Sequence, residues 1–313
     1  MPVTTKIVRH NATPGLPDVP LAGIFHLLVL YVVWGSTYLA IRIAVGPAGG
    51  FPPFSLGATR VLIAGGLIVA VCALVGKRVR PTASELFVLV ASGMLLWVGG
   101  NGLVVLAETR ADSGYAALLV AAAPMWVAAV ESVVDRRLPS PLLVGSLVVG
   151  FAGIAILSAP RLEAGADGFA IVCLLAAGLS WALGLVLQQR RPVRLEPIVS
   201  AGWQQLFAGG GFVMVAMLAG EPTPAPSSDA WWALGYLIVF GSLLAFTSFV
   251  FAIRLLPSSL VMTYAYVNPV IAVALGWAVL GEAVTGWTYA GAALVLVAVA
   301  GVFRERRRIS RVA

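Results

Sequence analysis

Ten apolar stretches, each near 20 residues long, alternate with short polar breaks along the chain. They fall at residues 25–45, 53–76, 86–107, 112–134, 141–159, 168–189, 198–219, 231–253, 259–280 and 285–303. About 20 apolar residues in a helix cross the roughly 30 Å hydrocarbon core of a bilayer. The breaks, such as GPAGGFPP (46–53), DRRLPSP (135–141) and GEPTPAPSSD (220–229), collect proline, glycine and charge and read as turns between antiparallel neighbours. The runs are continuous, without the alternation of the short strands that build a membrane β-barrel. The pattern predicts an all-α integral membrane protein of ten transmembrane helices. A polar tail (1–24) precedes it and a basic tail (304–313) follows. The first apolar run reads as a retained anchor, because no cleavage signature follows it.

Charge placement orients this bundle. With the N-terminus cytoplasmic, all but four of the 20 lysines and arginines fall on the inner side. Only Arg110 and Arg161 lie in outer loops, while Arg42 and Arg60 lie within or at the outer ends of spans. This asymmetry is the positive-inside signature. It accounts for the net charge of +7 without nucleic acid, and it places both termini in the cytoplasm. Composition agrees. Residues are 60% hydrophobic and 11% charged, against about 25% charged in soluble domains, which excludes a soluble enzyme and a disordered chain. Two cysteines, Cys72 and Cys173, lie toward opposite leaflets and are expected to stay reduced. Two histidines are too few for most metal sites, and no cofactor is implied.

Landmarks recur at matching spacing. Trp34 in the first run matches Trp181 in the sixth. Ser113 precedes Pro124 by the interval at which Ser258 precedes Pro269, and Glu108 and Arg254 stand at similar distances before these prolines. The spacing predicts two five-helix halves, 25–159 and 168–303, joined by an outer segment (160–167). Five crossings is an odd number, so the second half enters the membrane upside down. Inverted duplications are a recurring plan of secondary transporters, with the solute site near the midplane between the copies.

Polar groups inside spans mark the candidate site, since a mid-helix charge costs roughly 2.5–3.5 kcal/mol on insertion scales. Arg60 is the deepest charge. It reads either as an anion-attracting group or as a structural arginine that snorkels or pairs with an acid. Trp97, Asn101 and Glu108 share one stripe of the third run. Glu108 is a candidate for proton coupling or for a cationic amine, or else a partner of Arg42. Trp34, Ser36, Thr37 and Tyr38 in the first run offer an aromatic and hydroxyl face, or a helix-packing surface. Tyr264 and Asn268 share a face of the ninth run, and Trp181 and Gln188 lie seven apart on the sixth, with Gln204 and Gln205 as weaker candidates. Pro124 and Pro269 each remove a backbone donor at depth, exposing a carbonyl one turn earlier and providing hinges. No P-loop, HExxH, CxxC or nucleophile elbow is present, which argues against ATP hydrolysis and against an intramembrane enzyme. A small-solute channel is the remaining alternative.

The stretches WGSTYLAIR (34–42), GATRVLIAGG around Arg60, GNGLVVLAE (100–108), SGYAALLVAAAPMW (113–126) and MTYAYVNPVIAVALGWAVLGE (262–282) resemble the EamA family of the drug/metabolite transporter superfamily. The likeness covers residues 22–303. It implies an inverted five-plus-five repeat around a central cavity, no enzymatic activity, and export of small-molecule substrates from a bacterial cytoplasm across the inner membrane. Amino-acid-like metabolites or amphipathic drugs are the expected solutes. Sugars or nucleotide-sugars rank second, because such anions want several cavity cations. The partners expected are the solute and the lipid bilayer, not nucleic acid, with protein partners undetermined. The sequence departs from an idealised repeat at Glu282, whose counterpart region carries Asp135-Arg136-Arg137.

Overall fold

Each apolar run in the computed structural model falls on helix. The structure describes residues 20–136, 138, 140–163, 168–256, 261 and 263–312. Residues 1–19 of the N-terminal tail, 164–167 of the connecting segment, and Arg137 and Ser258 lie outside them, as do the side chains of Arg161, Arg254, Tyr266 and 305–313. In chain order the helices are α1 (Leu21–Ala44), α2 (Pro53–Leu74), α3 (Ala83–Glu108), α4 (Ser113–Val134), α5 (Pro141–Glu163), α6 (Phe169–Arg190), α7 (Pro197–Leu218), α8 (Ser228–Tyr236, Leu237–Ala245 and Phe246–Leu255 end to end), α9 (Tyr264–Leu280) and α10 (Gly286–Val312). No strand occurs among the described residues. Seven of these helices, α1–α4 and α6–α8, are long and apolar enough to cross a membrane. The others carry shorter apolar stretches, Pro141–Ile156, Val267–Leu280 and Gly286–Gly301.

The helix boundaries follow local chemistry. Proline stands at the first position of α2 and α7, where its missing N–H would find no intrahelical partner anyway. Thr82 and Glu85 form a reciprocal capping box at the start of α3, and the Ser227 hydroxyl accepts from the Ala230 N–H at the start of α8. Pro124 interrupts α4, which turns at Ala121–Ala122 between Ser113–Val120 and Ala123–Val134. Pro269 stays inside α9.

The outward surface is hydrocarbon-like. Leu67 and Val71 on α2 and Met214 and Met217 on α7 are exposed. A ring of large apolar side chains facing water would be an aggregation surface; facing lipid it costs nothing. Inside, small residues let backbones approach. The position a Cβ would take on Gly65 of α2 lies 2.7 Å from the Gly202 carbonyl of α7, so these two helices cross in direct backbone contact. The principal neighbours are α2 with α7, α5 with α10, α4 with α9, α3 with α6, α3 with α7, α1 with α8, α1 with α9 and α4 with α6.

Two capping contacts tie the far face, where α1 ends. Glu221, just after α7, accepts from the N–H groups of Phe54 and Ser55 at 2.8 Å each. Glu282, just after α9, accepts from the N–H groups of Ser113 and Gly114 at 2.8 and 3.0 Å. Each carboxylate sits at the positive end of a helix macrodipole. Gly281 adopts the left-handed conformation (φ 66°) that ends α9, and the bare Gly276 leaves room for the Glu282 carboxylate. The near face, where α1 begins, is held by ion pairs instead: Lys77 with Glu196, Arg78 with Glu85, and Arg190 with Asp135.

Candidate functional site

Wide helical turns shape the middle of the bundle. α1, α3 and α8 each contain a π-helical segment, at Leu30–Trp34, Met94–Gly102 and Leu237–Ala245. A π-turn adds a residue to the loop closed by each hydrogen bond and re-aims the side chains around it, which is why such segments recur at functional sites. Trp97 and Asn101 ride on the segment of α3. Gly241 and Ser242 ride on that of α8.

Between them lies a cavity of about 120 Å³. It is lined by Trp34, Thr37 and Tyr38 of α1, Arg60 of α2, Trp97 and Asn101 of α3, Pro124 of α4, Trp181 of α6, Phe246 of α8, and Tyr264, Asn268 and Pro269 of α9. A water needs roughly 10–15 Å³ measured this way, so the space is that of a small organic solute.

Arg60 is the charge in this cavity. It is only 4% exposed and neither snorkels nor pairs with an acid. Nε donates to the Ser242 hydroxyl at 2.9 Å and Nη1 to the Asn101 Oδ1 at 3.3 Å. The guanidinium carbon lies 5.5 Å from the Trp97 ring centroid, within cation–π range. A side chain at Gly241 would begin 3.0 Å from Arg60 Nη2, so glycine is what lets α8 pass this close. Among the described residues no carboxylate makes an ion pair with Arg60.

Aromatic rings form much of the remaining wall. Trp34 lies 5.1 Å from Phe249 and 5.2 Å edge-on from Tyr264, centroid to centroid. Its Nε1 donates to the Gly241 carbonyl at 3.4 Å. Phe246 sits 5.5 Å from Trp97. The Thr37 hydroxyl is turned back onto the Trp34 carbonyl at 2.7 Å. With its amide nitrogen turned toward them, Asn268 donates to the carbonyls of Tyr264 and Tyr31, at 3.2 Å each. The Trp97 Nε1 is buried and donates to nothing among the described residues.

Eleven of the sequence candidates therefore meet around one cavity. Five lie elsewhere: Ser36, Glu108, Gln188, Gln204 and Gln205. Ser36 donates to the Val33 carbonyl, shares a 2.6 Å hydrogen bond with the Tyr236 hydroxyl and faces a separate far-face groove. Gln188 accepts from Gln204 at 2.7 Å, and Gln205 is fully buried. Glu108 is fully buried, and neither carboxylate oxygen has a hydrogen-bond partner among the described residues. Arg42 approaches Glu108, but its Nη1 donates to the backbone carbonyl at 2.5 Å. Ser242, Gly241 and Phe246 were not among the sequence candidates. A hydrophobic run gives them no mark; the π-segment carries Gly241 and Ser242 to Arg60, and Phe246, just after it, packs on Trp97.

A lipid-dressed helical bundle that encloses a polar and aromatic chamber defines a multi-pass membrane protein with room for a solute. The chain belongs to the EamA-like transporter family, whose sequence profile matches residues 21–159 and 168–304. It is 35% identical over 283 residues to the uncharacterized inner membrane transporter YedA of Escherichia coli (strain K12), covering 90% of this chain and 89% of the relative. It is 26% identical over 293 residues to protein PecM of Dickeya dadantii (strain 3937), covering 88% and 92%. One solved crystal structure superposes with a TM-score of 0.64 at 21% identity, covering 92% of this chain and 98% of that one. That likeness speaks to the fold. Relatives named as transporters imply a membrane role in moving solutes rather than catalysis.

Proposed function

We propose that this protein exports small organic metabolites, amino-acid-like solutes or amphipathic drugs, by alternating access. Two inverted five-helix units, residues 25–159 and 168–303, act against each other around the central cavity. Both termini lie in the cytoplasm of a bacterial cell, and Glu108 carries the coupling proton.

The observation that carries this reading is the cavity itself, walled by helices of both halves, in a chain of a transporter family. Several features support the inverted arrangement. The family profile matches two segments of similar length. If α1–α5 correspond to α6–α10, then α2–α7, α4–α9 and α5–α10 are self-paired contacts. The contact of α1 with α8 then corresponds to that of α6 with α3, and that of α1 with α9 to that of α6 with α4. The nine-residue π-segments of α3 and α8 fall on corresponding helices. The proton assignment rests on Glu108, a buried carboxylate whose oxygens accept no hydrogen bond from a described residue.

Thr37→Cys in a chain lacking Cys72 and Cys173 tests the cycle. Impermeant thiol reagents should reach it from each side of a sealed vesicle in turn, with solute shifting the balance. Access from both sides at once would indicate a channel, and access from one side only, under all conditions, would overturn alternating access.

A further inference from the structure

Around Arg60 the hydrogen-bond inventory of the cavity wall is lopsided toward donors. Arg60 brings five N–H groups. One goes to Ser242 and one to Asn101; Nη2 donates to no described residue. The Trp97 Nε1–H, on the ring against which the guanidinium packs, is buried and has no partner among the described residues. Asn101 spends its carbonyl oxygen on Arg60, and Thr37 spends its hydroxyl on its own helix. Glu108, the acid nearest along the same stripe, does not line the cavity. A fixed positive charge, buried and without a counter-anion, is costly unless something supplies the anion. A guanidinium edge held in place by Ser242 and Asn101 matches a carboxylate in two parallel hydrogen bonds.

We infer that the cavity selects solutes carrying a single carboxylate, bound by the free edge of Arg60 with the Trp97 Nε1–H as an additional donor. The apolar body of the solute lies against Trp34, Trp181, Phe246 and Tyr264. This inference rests on the proposed transport role and sharpens it by giving the solute's charge. One buried cation suits one negative charge. Purely cationic drugs and doubly charged phosphates are then poor ligands, the first for want of an anion and the second for want of a second cation.

Binding to the purified protein in detergent tests this apart from flux. The probes are phenylacetate, phenylalanine, phenylalaninamide and phenyl phosphate, read by tryptophan fluorescence and by melting temperature, since ligands that favour the folded form raise it. Phenylacetate and phenylalanine are expected to bind, and phenylalaninamide roughly tenfold to a hundredfold more weakly, the loss of a charged hydrogen-bonded contact. Asn101→Asp, which adds a carboxylate beside Arg60 at unchanged size, should abolish binding of the two acids while the ligand-free protein melts no lower than before, since the new carboxylate supplies the missing anion. Gly241→Ala should weaken them by crowding Nη2. Equal binding of acid and amide, preference for phenyl phosphate, no binding of any probe, or full acid binding by Asn101→Asp would each overturn the inference. The transport reading fails separately: acids that bind but never cross reconstituted vesicles leave the site assignment standing and remove the transport.

Discussion

Arg60 on α2 and Gln204 on α7 occupy comparable places along their helices and meet different fates. Each stands seven residues into a helix that opens with proline, α2 for Arg60 and α7 for Gln204. Each is buried and reaches a serine hydroxyl on another helix: Arg60 to Ser242 on α8, Gln204 to Ser92 on α3 at 2.8 Å. Gln204 closes its second hydrogen bond on Gln188 of α6, so its amide nitrogen is satisfied within the protein. Arg60 lines the cavity and keeps N–H groups that no described residue accepts. The lesson is that similar scaffolding holds a closed polar contact on one side and an open charged one on the other. Only the open one has chemistry left for a solute.

Five substitutions break or sharpen this contrast. Gln204→Arg is expected to be the most damaging. It buries a second guanidinium with only neutral partners, and an uncompensated buried charge costs about 3–5 kcal/mol. Thermal melting in detergent should fall markedly; a wild-type melt would mean the Gln204 region tolerates charge as well as the Arg60 region does. Asn101→Ala removes an acceptor of Arg60 and should lower solute flux in reconstituted vesicles about tenfold, near 1.4 kcal/mol, with expression intact. Gln188→Ala, its analogue in the closed contact, should leave flux near wild type. Equal losses would erase the distinction.

Glu108→Gln sharpens the contrast by a different route. Glu108 is buried at the far-face end of α3, with no hydrogen-bond partner for its carboxylate oxygens among the described residues. The amide carries no charge to desolvate, so the variant should melt at or slightly above the wild-type temperature. If Glu108 carries the coupling proton, flux should lose its response to an imposed pH gradient. An unchanged response would remove Glu108 from the mechanism. The smallest effect is expected from Lys77→Ala. Its ion pair with Glu196 is 36% and 51% exposed, and such pairs contribute about 0–1 kcal/mol. A larger loss of stability would show that near-face ion pairs, rather than the buried Gln204 contact, hold that end together.

How much of this was legible in the sequence differs by feature. The apolar runs located the helices to within a few residues, because a lipid-facing surface must be apolar along its whole length. α10 outran its apolar stretch, continuing as helix through the basic residues to Val312. Arg60 stood out because charge at depth is rare, and Trp34, Trp97, Asn101 and Asn268 because polar and aromatic side chains in spans need a place to face. The same rule overreached at Ser36 and Gln188, which satisfy themselves against a tyrosine and a glutamine rather than the cavity. A polar residue in a span must find a partner, and the sequence does not say whether that partner is solute or protein. The reach of Glu282 back to the start of α4 was equally hidden, since it joins residues 169 positions apart.

The sequence by itself determined the solvent this protein lives in, the helices that solvent demands, the residues too polar to face it, and the family. Those follow from composition and local order, since every backbone group in hydrocarbon must be bonded within its own helix. Only the tertiary structure decided which polar residues are left with bonds to give. Partner choice depends on π-turns and on glycine contacts between helices far apart in the chain. Through them Arg60 came to rest between Ser242 and Asn101 with one edge free, while Gln204 was closed off.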